Sequence, residues 1–152
     1  MIQFRALFEI TAEVAEPQVV PNSSYGQRRF NPCISGTFKG ERLSGEMMPG
    51  GSDCKLLRDD GVEDLDVRVT LKADDDDGTL IFMKGTGIRH GPPDVMARLA
   101  QGEDVDPSLY YFRESIRFEA PPGKYEWLNK VLAIGTGRRG PSTVIMDVYE
   151  VL

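Results

Sequence analysis

A chain of 152 residues is most simply one domain, residues 1–152, long enough to bury roughly 70% of the surface its unfolded form exposes. A formal net charge of −6 argues against nucleic acid or an anionic membrane surface as a partner, because like charges repel within a Debye length. Two cysteines and one histidine cannot supply a four-ligand zinc site of the Cys and His type, so no metal is expected, and Cys33 and Cys54 read as reduced, buried thiols of a cytoplasmic protein.

The first predicted element is a half-buried strand, with Ile2, Phe4, Ala6, Phe8, Ile10 and Ala12 on one face and Gln3, Arg5, Glu9, Thr11 and Glu13 on the other. Those polar positions argue against a signal peptide or a membrane span. EPQVVPNSSYGQ reads as a loop, and extended chain is expected through RRFNPCISGTF and LSGEMM. PGGSDCKLLRDDG, residues 49–61, then sets Asp53 just after two glycines in what otherwise reads as strand. Its RDDG end looks like a hairpin connection, whereas the Gly50–Gly51 pair lets the backbone bulge and re-aim the side chains that follow.

Leu65, Val67, Val69 and Leu71 alternate with Asp66, Arg68, Thr70 and Lys72. DDDDG, residues 74–78, reads as a solvated turn joining them to TLIFMKGTGIRH. In GPPDVMARLAQG, Pro93 suits a first helical turn, Asp94 favours the N-terminal dipole, and Gly102 can close the end. With Val95, Met96 and Leu99 at helical spacing, this predicts one short helix near 93–101. YYFRESIRFEA, NKVLAIGT and STVIMDVYEVL return to strand. About eight or nine strands at this spacing predict an all-β fold, an antiparallel barrel or sandwich, and a closed antiparallel β-barrel is preferred, since joining the first strand to the last removes two aggregation-prone edges. A barrel of that size holds side chains or one small ligand inside.

GTGRRG, residues 135–140, matches the dinucleotide fingerprint by letter only, because Pro141 and a β-rich segment follow where that fold needs a helix. It reads as a hairpin turn bearing two solvated arginines. His90 ends a strand before Gly91, where it could act as acid or base or simply hydrogen-bond at a loop junction. Arg28, Asp53, Asp66, Arg68, Arg113 and Arg117 fall on or beside strands. Asp66 and Arg68 share a face of one strand, as Tyr111 and Arg113 do of another. Alternation favours placing those faces in water; the other reading turns them inward to line a pocket, with apolar exteriors covered by the helix or a second subunit.

The order of the motifs is more specific than any one of them. G-x-R-R before Pro32, SGTFKGERLSG, MPGGSD, RDDG, LDVRVTL, GIRHGPPDVMARL, DPSLYYFR, RFE, YEWLN and a final VYEVL together resemble the domain of unknown function 3237 family, from about residue 5 onward. The chain departs from that pattern at Ser35 and Gly36, where two glycines are usual, and at Cys54, where an aromatic residue is usual. The resemblance implies a barrel shaped like those of lipocalin, streptavidin and allene oxide cyclase. It also implies that some fungal members act as cyclases, adding a hydroxyl across an activated alkene without redox cofactor or metal.

The resulting expectation is a cofactor-independent cyclase, isomerase or lyase for a small hydrophobic, aromatic or polyketide-like substrate held inside the barrel. Asp53 would be the general acid or base, Arg28 and Arg113 would hold an enolate or phenolate oxygen, and Tyr111 would relay a proton. Asp66 and Arg68 would orient these groups, and His90 and Trp127 would complete the substrate site. The alternatives are a carrier of a small hydrophobic ligand and a purely structural dimerisation barrel with a solid core; a homodimer is left open.

Overall fold

The computed structural model describes residues 1–75 and 77–152, among which lie ten strands, one α-helix and two short 3-10 helices. In chain order these are β1 (Phe4–Val14), β2 (Gln18–Ser23), β3 (Gly26–Lys39), β4 (Ser44–Met47), β5 (Ser52–Leu57), β6 (Glu63–Ala73), β7 (Leu80–His90), α1 (Pro93–Ala100), β8 (Tyr111–Glu119), β9 (Ala133–Arg139) and β10 (Thr143–Val151). Strand β1 pairs with β10 on one side and with β3 on the other, so the antiparallel sheet closes on itself. The first strand meets the last, as edge protection requires. Around the barrel run β1, β10, β9, β8, β7, β6, then β4 and β5 sharing one position, then β3; β2, which corrects the expected loop EPQVVPNSSYGQ, is a flap paired to β3 outside that circuit.

The shared position of β4 and β5 follows from PGGSD. Met47 faces Leu71 and Ser52 faces Arg68, so Met48, Pro49, Gly50 and Gly51 stand opposite only Val69 and Thr70. The surplus chain is a bulge. Gly50 takes φ +102, a region that side-chain-bearing residues avoid, and a Cβ on Gly51 would lie 2.6 Å from the Arg68 carbonyl oxygen. Strand β5 restarts beyond the bulge with Asp53, Lys55 and Leu57 on one face.

Period-2 alternation decides what fills the interior. On β8, Phe112, Glu114, Ile116 and Phe118 are buried while Tyr111, Arg113, Ser115 and Arg117 are exposed. Leu65, Val69 and Leu71 on β6 and Ile81 and Met83 on β7 face the same core. One end of the barrel is plugged by Leu7, Phe8, Phe38 and Phe118, with Phe8 edge-on to Phe38 at 5.4 Å and to Phe118 at 6.0 Å between ring centroids. The 3-10 helix Glu126–Lys130 adds the fully buried Leu128.

The other end is open, with α1 against it. Pro93 begins this helix, Val95 and Leu99 are its buried side chains, and the chain leaves through Gly102 at φ +78. The expected turn at 74–78 includes residue 76, which lies outside the described residues; beside it the Asp75 carboxylate accepts the Thr79 N–H at 2.9 Å. GTGRRG corrects the reading of its arginines as turn residues. Strand β9 continues through Arg139, and the turn falls on 140–142, so only Arg138 is on the outer face. No helix among the described residues is long and apolar enough to cross a membrane.

Candidate functional site

The open end leads into a funnel. Its mouth, about 480 Å³, lies among α1, the Val14–Pro17 segment and the β9–β10 turn. Below it a cavity of about 70 Å³ reaches into the barrel. Val14, Asn31, Lys55, Arg89 and Arg139 line both spaces and so form the neck. Beneath the neck the wall is apolar, with Ile10, Val67, Met83, Val144 and Met146, except for Asp53 and Glu114.

Each polar group arrives there on the inward beat of a strand. Asp53 and Lys55 follow the bulge on β5, Asn31 and Cys33 share a face of β3, Arg89 extends the Ile81, Met83, Gly85, Gly87 row of β7, and Arg139 extends Ala133, Gly135 and Gly137 on β9. The glycines leave room for what lies opposite. A Cβ on Gly85 would run into the Glu114 carboxylate, and one on Gly137 would lie 2.6 Å from the Phe112 ring.

Charge is distributed unevenly along the funnel. Glu63 Oε2 accepts from Arg89 Nε at 2.5 Å, and Glu63 Oε1 lies 3.7 Å from Lys55 Nζ. Burial would raise Glu63, but Arg89 and Lys55 outweigh it and hold the carboxyl below its ordinary value. Burial, aided by Arg89, pulls Lys55 down to about 8 against the opposing pull of Glu63. Deeper in, burial and then the neighbouring Asp53 charge push Glu114 up to about 8. Asp53 is also raised by burial, although Lys55, the Asp66 N–H and Arg89 favour its charged form. Its Oδ1 accepts that N–H at 3.3 Å, where the ladder between β5 and β6 skips Cys54 and Lys55. Cys33 is buried as expected and is pushed up to about 11 by burial, Asp53 and Glu114, which leaves it a poor nucleophile near neutral pH, whereas Cys54, also expected to be buried, is only half-buried.

Of the site residues that the sequence predicts, Asp53 alone lies in this interior. Arg28 has the opposite parity to Arg29 and Asn31, and donates from Nη1 to the Cys54 carbonyl at 3.1 Å. Asp66 and Arg68 pair with each other on the outer face of β6, Nε to Oδ1 at 3.2 Å, while Leu65 and Val69 go to the core. Tyr111, Arg113 and His90 meet outside the barrel: the His90 ring stacks on Tyr111 at 5.2 Å, and the Arg113 guanidinium sits 5.1 Å from the same ring. These three are therefore brought together, but not with Asp53, because outward parity on β7 and β8 separates them from the cavity. Trp127 lines neither space and packs under Arg42, 4.0 Å from the ring.

Sequence reasoning missed Lys55, Glu63, Arg89, Glu114 and Arg139. The available signal was the interruption of an apolar face: Glu114 is the one charged member of the Phe112, Ile116, Phe118 row, and Lys55 follows Asp53 at the same-face interval. Among the described residues no group of three or more His, Cys, Asp or Glu side chains is arranged to hold a metal ion.

Fold and funnel together define a small closed β-barrel with an ionisable interior reached from one end. The chain belongs to the DUF3237 family of proteins of unknown function, whose model matches residues 2–151. A UPF0311 protein of Rhodopseudomonas palustris is 33% identical over 151 residues, covering 99% of this chain and 97% of the relative. The crystal structure of a protein of unknown function from that organism superposes with a TM-score of 0.92 at 33% identity, covering 100% of this chain and 98% of the other. A β-barrel-like protein from Acinetobacter baumannii gives 0.86 at 36% identity, covering 100% and 97%. An enzyme from Penicillium herquei gives 0.74 at 16% identity, covering 99% and 95%, a likeness of fold alone.

Proposed function

We propose that the protein is a cofactor-independent acid–base catalyst, a cyclase, isomerase or lyase acting on a small, largely hydrophobic molecule in the funnel. The observation that carries this reading is a pair of carboxyl groups, Asp53 and Glu114, both with raised proton affinity, in an otherwise apolar cavity beneath a cationic neck. Pairs of carboxyls whose surroundings separate their roles are a recurring way to run acid and base chemistry in one site. Glu114, at about 8, carries a proton at neutral pH and is the general acid. Asp53, whose charged form Lys55 and Arg89 favour, is the general base.

For addition of a hydroxyl to an activated alkene, Asp53 takes the O–H proton as the oxygen bonds to one alkene carbon. The alkene pair passes into the adjoining carbonyl as an enolate, and Glu114 then protonates the other carbon. Product and substrate are isomers, and the proton on Asp53 returns to Glu114. Lys55 and Arg89 stabilise the enolate, the part that Arg28 and Arg113 were expected to play. A cavity of about 70 Å³ takes only the reacting end of such a molecule, and the mouth of about 480 Å³ takes the rest. The Penicillium herquei neighbour is described as an enzyme, so a barrel of this outline is compatible with catalysis.

The test is incubation with phenol–alkene and enone compounds in deuterium oxide, read by mass spectrometry and NMR. The expected result is an isomerised product with deuterium at the newly protonated carbon, and a loss of about 100-fold or more in turnover for D53N and for E114Q with melting retained. Full turnover in D53N would remove the assigned base. Tightly bound compounds recovered unchanged and free of deuterium would instead make the barrel a ligand carrier.

A further inference from the structure

The neck holds more positive charge than its carboxylates answer. Arg29, Lys55, Arg89 and Arg139 line the mouth together with Glu16 and Glu63. Glu63 is engaged by Arg89 and Lys55, and Arg29 donates from Nε to Gln27 at 2.7 Å. Arg139 is left over: its Nε is buried and has no hydrogen-bond partner among the described residues. In a chain of net charge −6, a guanidinium turned toward a cavity with no carboxylate of its own is a costly arrangement.

A second atom points the same way. Asn31 is 6% exposed, lines both spaces, and its Oδ1 has no partner among the described residues. Buried polar atoms are nearly always paired, so two unpaired ones lining one neck mark where a ligand supplies the missing groups. Below them the wall is apolar, with Val144 and Met146, apart from the acids Asp53 and Glu114, which offer a negative group no counter-charge, so an anionic head stops at the neck.

We infer that the funnel takes an organic monoanion, a carboxylate or an ionised acidic phenol, whose negative oxygen docks on Arg139 while a neighbouring hydroxyl or N–H of the same molecule meets Asn31. The inference rests on the site proposed above and names the substrate class it admits. A monoanion suits the neck because Glu63 already offsets part of the charge of Lys55 and Arg89. The apolar remainder of the molecule extends past the neck toward Glu114 and out along Met96 and Leu99.

The test is calorimetric titration of the full chain near neutral pH with cinnamate, 4-nitrophenolate, the neutral cinnamyl alcohol and cinnamamide, and inorganic phosphate. At least one organic anion is expected to bind about 10-fold or more tightly than the neutral compounds, with added salt reducing the advantage. Comparison of cinnamate with 4-nitrophenolate tells carboxylate from phenolate. R139Q should erase the advantage and R139K should keep part of it. Should R139Q fail to fold, N31D, which adds a negative charge at the neck, should weaken the anion and spare the alcohol. Equal binding of the neutral compounds, no binding of either organic anion, an advantage that persists in R139Q, or inorganic phosphate binding as well as the organic anions would overturn the inference. Anion preference without turnover of any compound would leave it standing while sinking the catalytic reading; turnover of neutral compounds without anion preference would do the reverse.

Discussion

The carboxylate of Glu114 occupies the volume where a side chain on Gly85 would begin. Gly85 on β7 faces Ile116 on β8, so the missing Cβ opens room beside the strand that carries Glu114. G85A is therefore expected to displace the carboxyl group and destabilise the protein by about 1–3 kcal/mol. Urea unfolding checks this, and E114A should relieve most of it: the double variant is expected to be clearly more stable than the two single effects added together. Simple additivity would mean that the two residues do not share the space.

A second prediction concerns pH. Unfolded, Glu114 releases its proton near the ordinary 4.5; folded, it does so near 8. Between those values the native state holds a proton that the unfolded chain has lost, so this group makes stability fall as pH rises through the window and level off above it. E114Q should lose that slope and be more stable than the parent at about pH 8, by an amount that shrinks toward about pH 5. Chemical denaturation of both proteins across this range measures the difference, and parallel curves would contradict it.

Glu63 behaves with the opposite sign. Its carboxyl is held below the ordinary value, so the stability it lends is present above about pH 4.5 and is lost as pH falls through the lower folded value. E63Q leaves Arg89 and Lys55 buried beside each other without their carboxylate. The expected loss is about 3–5 kcal/mol, read from denaturant midpoints, with partial recovery in E63Q/R89M.

Trp127 should report folding and ignore the ligand. It is the chain's one tryptophan, its ring lies under the Arg42 guanidinium at 4.0 Å, and it borders neither the mouth nor the inner cavity. Fluorescence is expected to hold its emission maximum through an anion titration and to shift in R42A, which should cost about 1 kcal/mol of stability. A ligand-induced shift in the parent would show that the plugged end senses occupancy.

The barrel was legible because alternation, turn residues and one proline-led helix all agree with a closed antiparallel sheet. Much of the interior was not, for a physical reason: parity says which residues share a face, but not which face points inward. Tyr111 and Arg113 were correctly grouped and lie outside, whereas Glu114, between Arg113 and Ser115, lies inside. Asp53 was found because its two glycines mark a bulge. Arg139 was hidden by a glycine-rich motif that reads as a turn, although Gly135 and Gly137 are strand positions whose missing side chains make way for Met146 and Phe112.

Arg138 and Arg139 are neighbours in sequence with opposite surroundings. Arg138 binds Asp147 at 2.7 Å and Glu9 at 3.0 Å on the outer wall, while Arg139 turns into the neck. What separates them is the pairing of Arg139 with Val144 and the bond from the Gly140 N–H to the Thr143 carbonyl at 2.9 Å. A slip of one residue between these strands would exchange the two arginines, turning Arg138 inward and Arg139 out and stranding Asp147 and Glu9. The short connection at 140–142 thus works as a depth gauge: its length determines which of two adjacent cations meets a negative guest and how far along the entrance it stands, although it need not touch that guest.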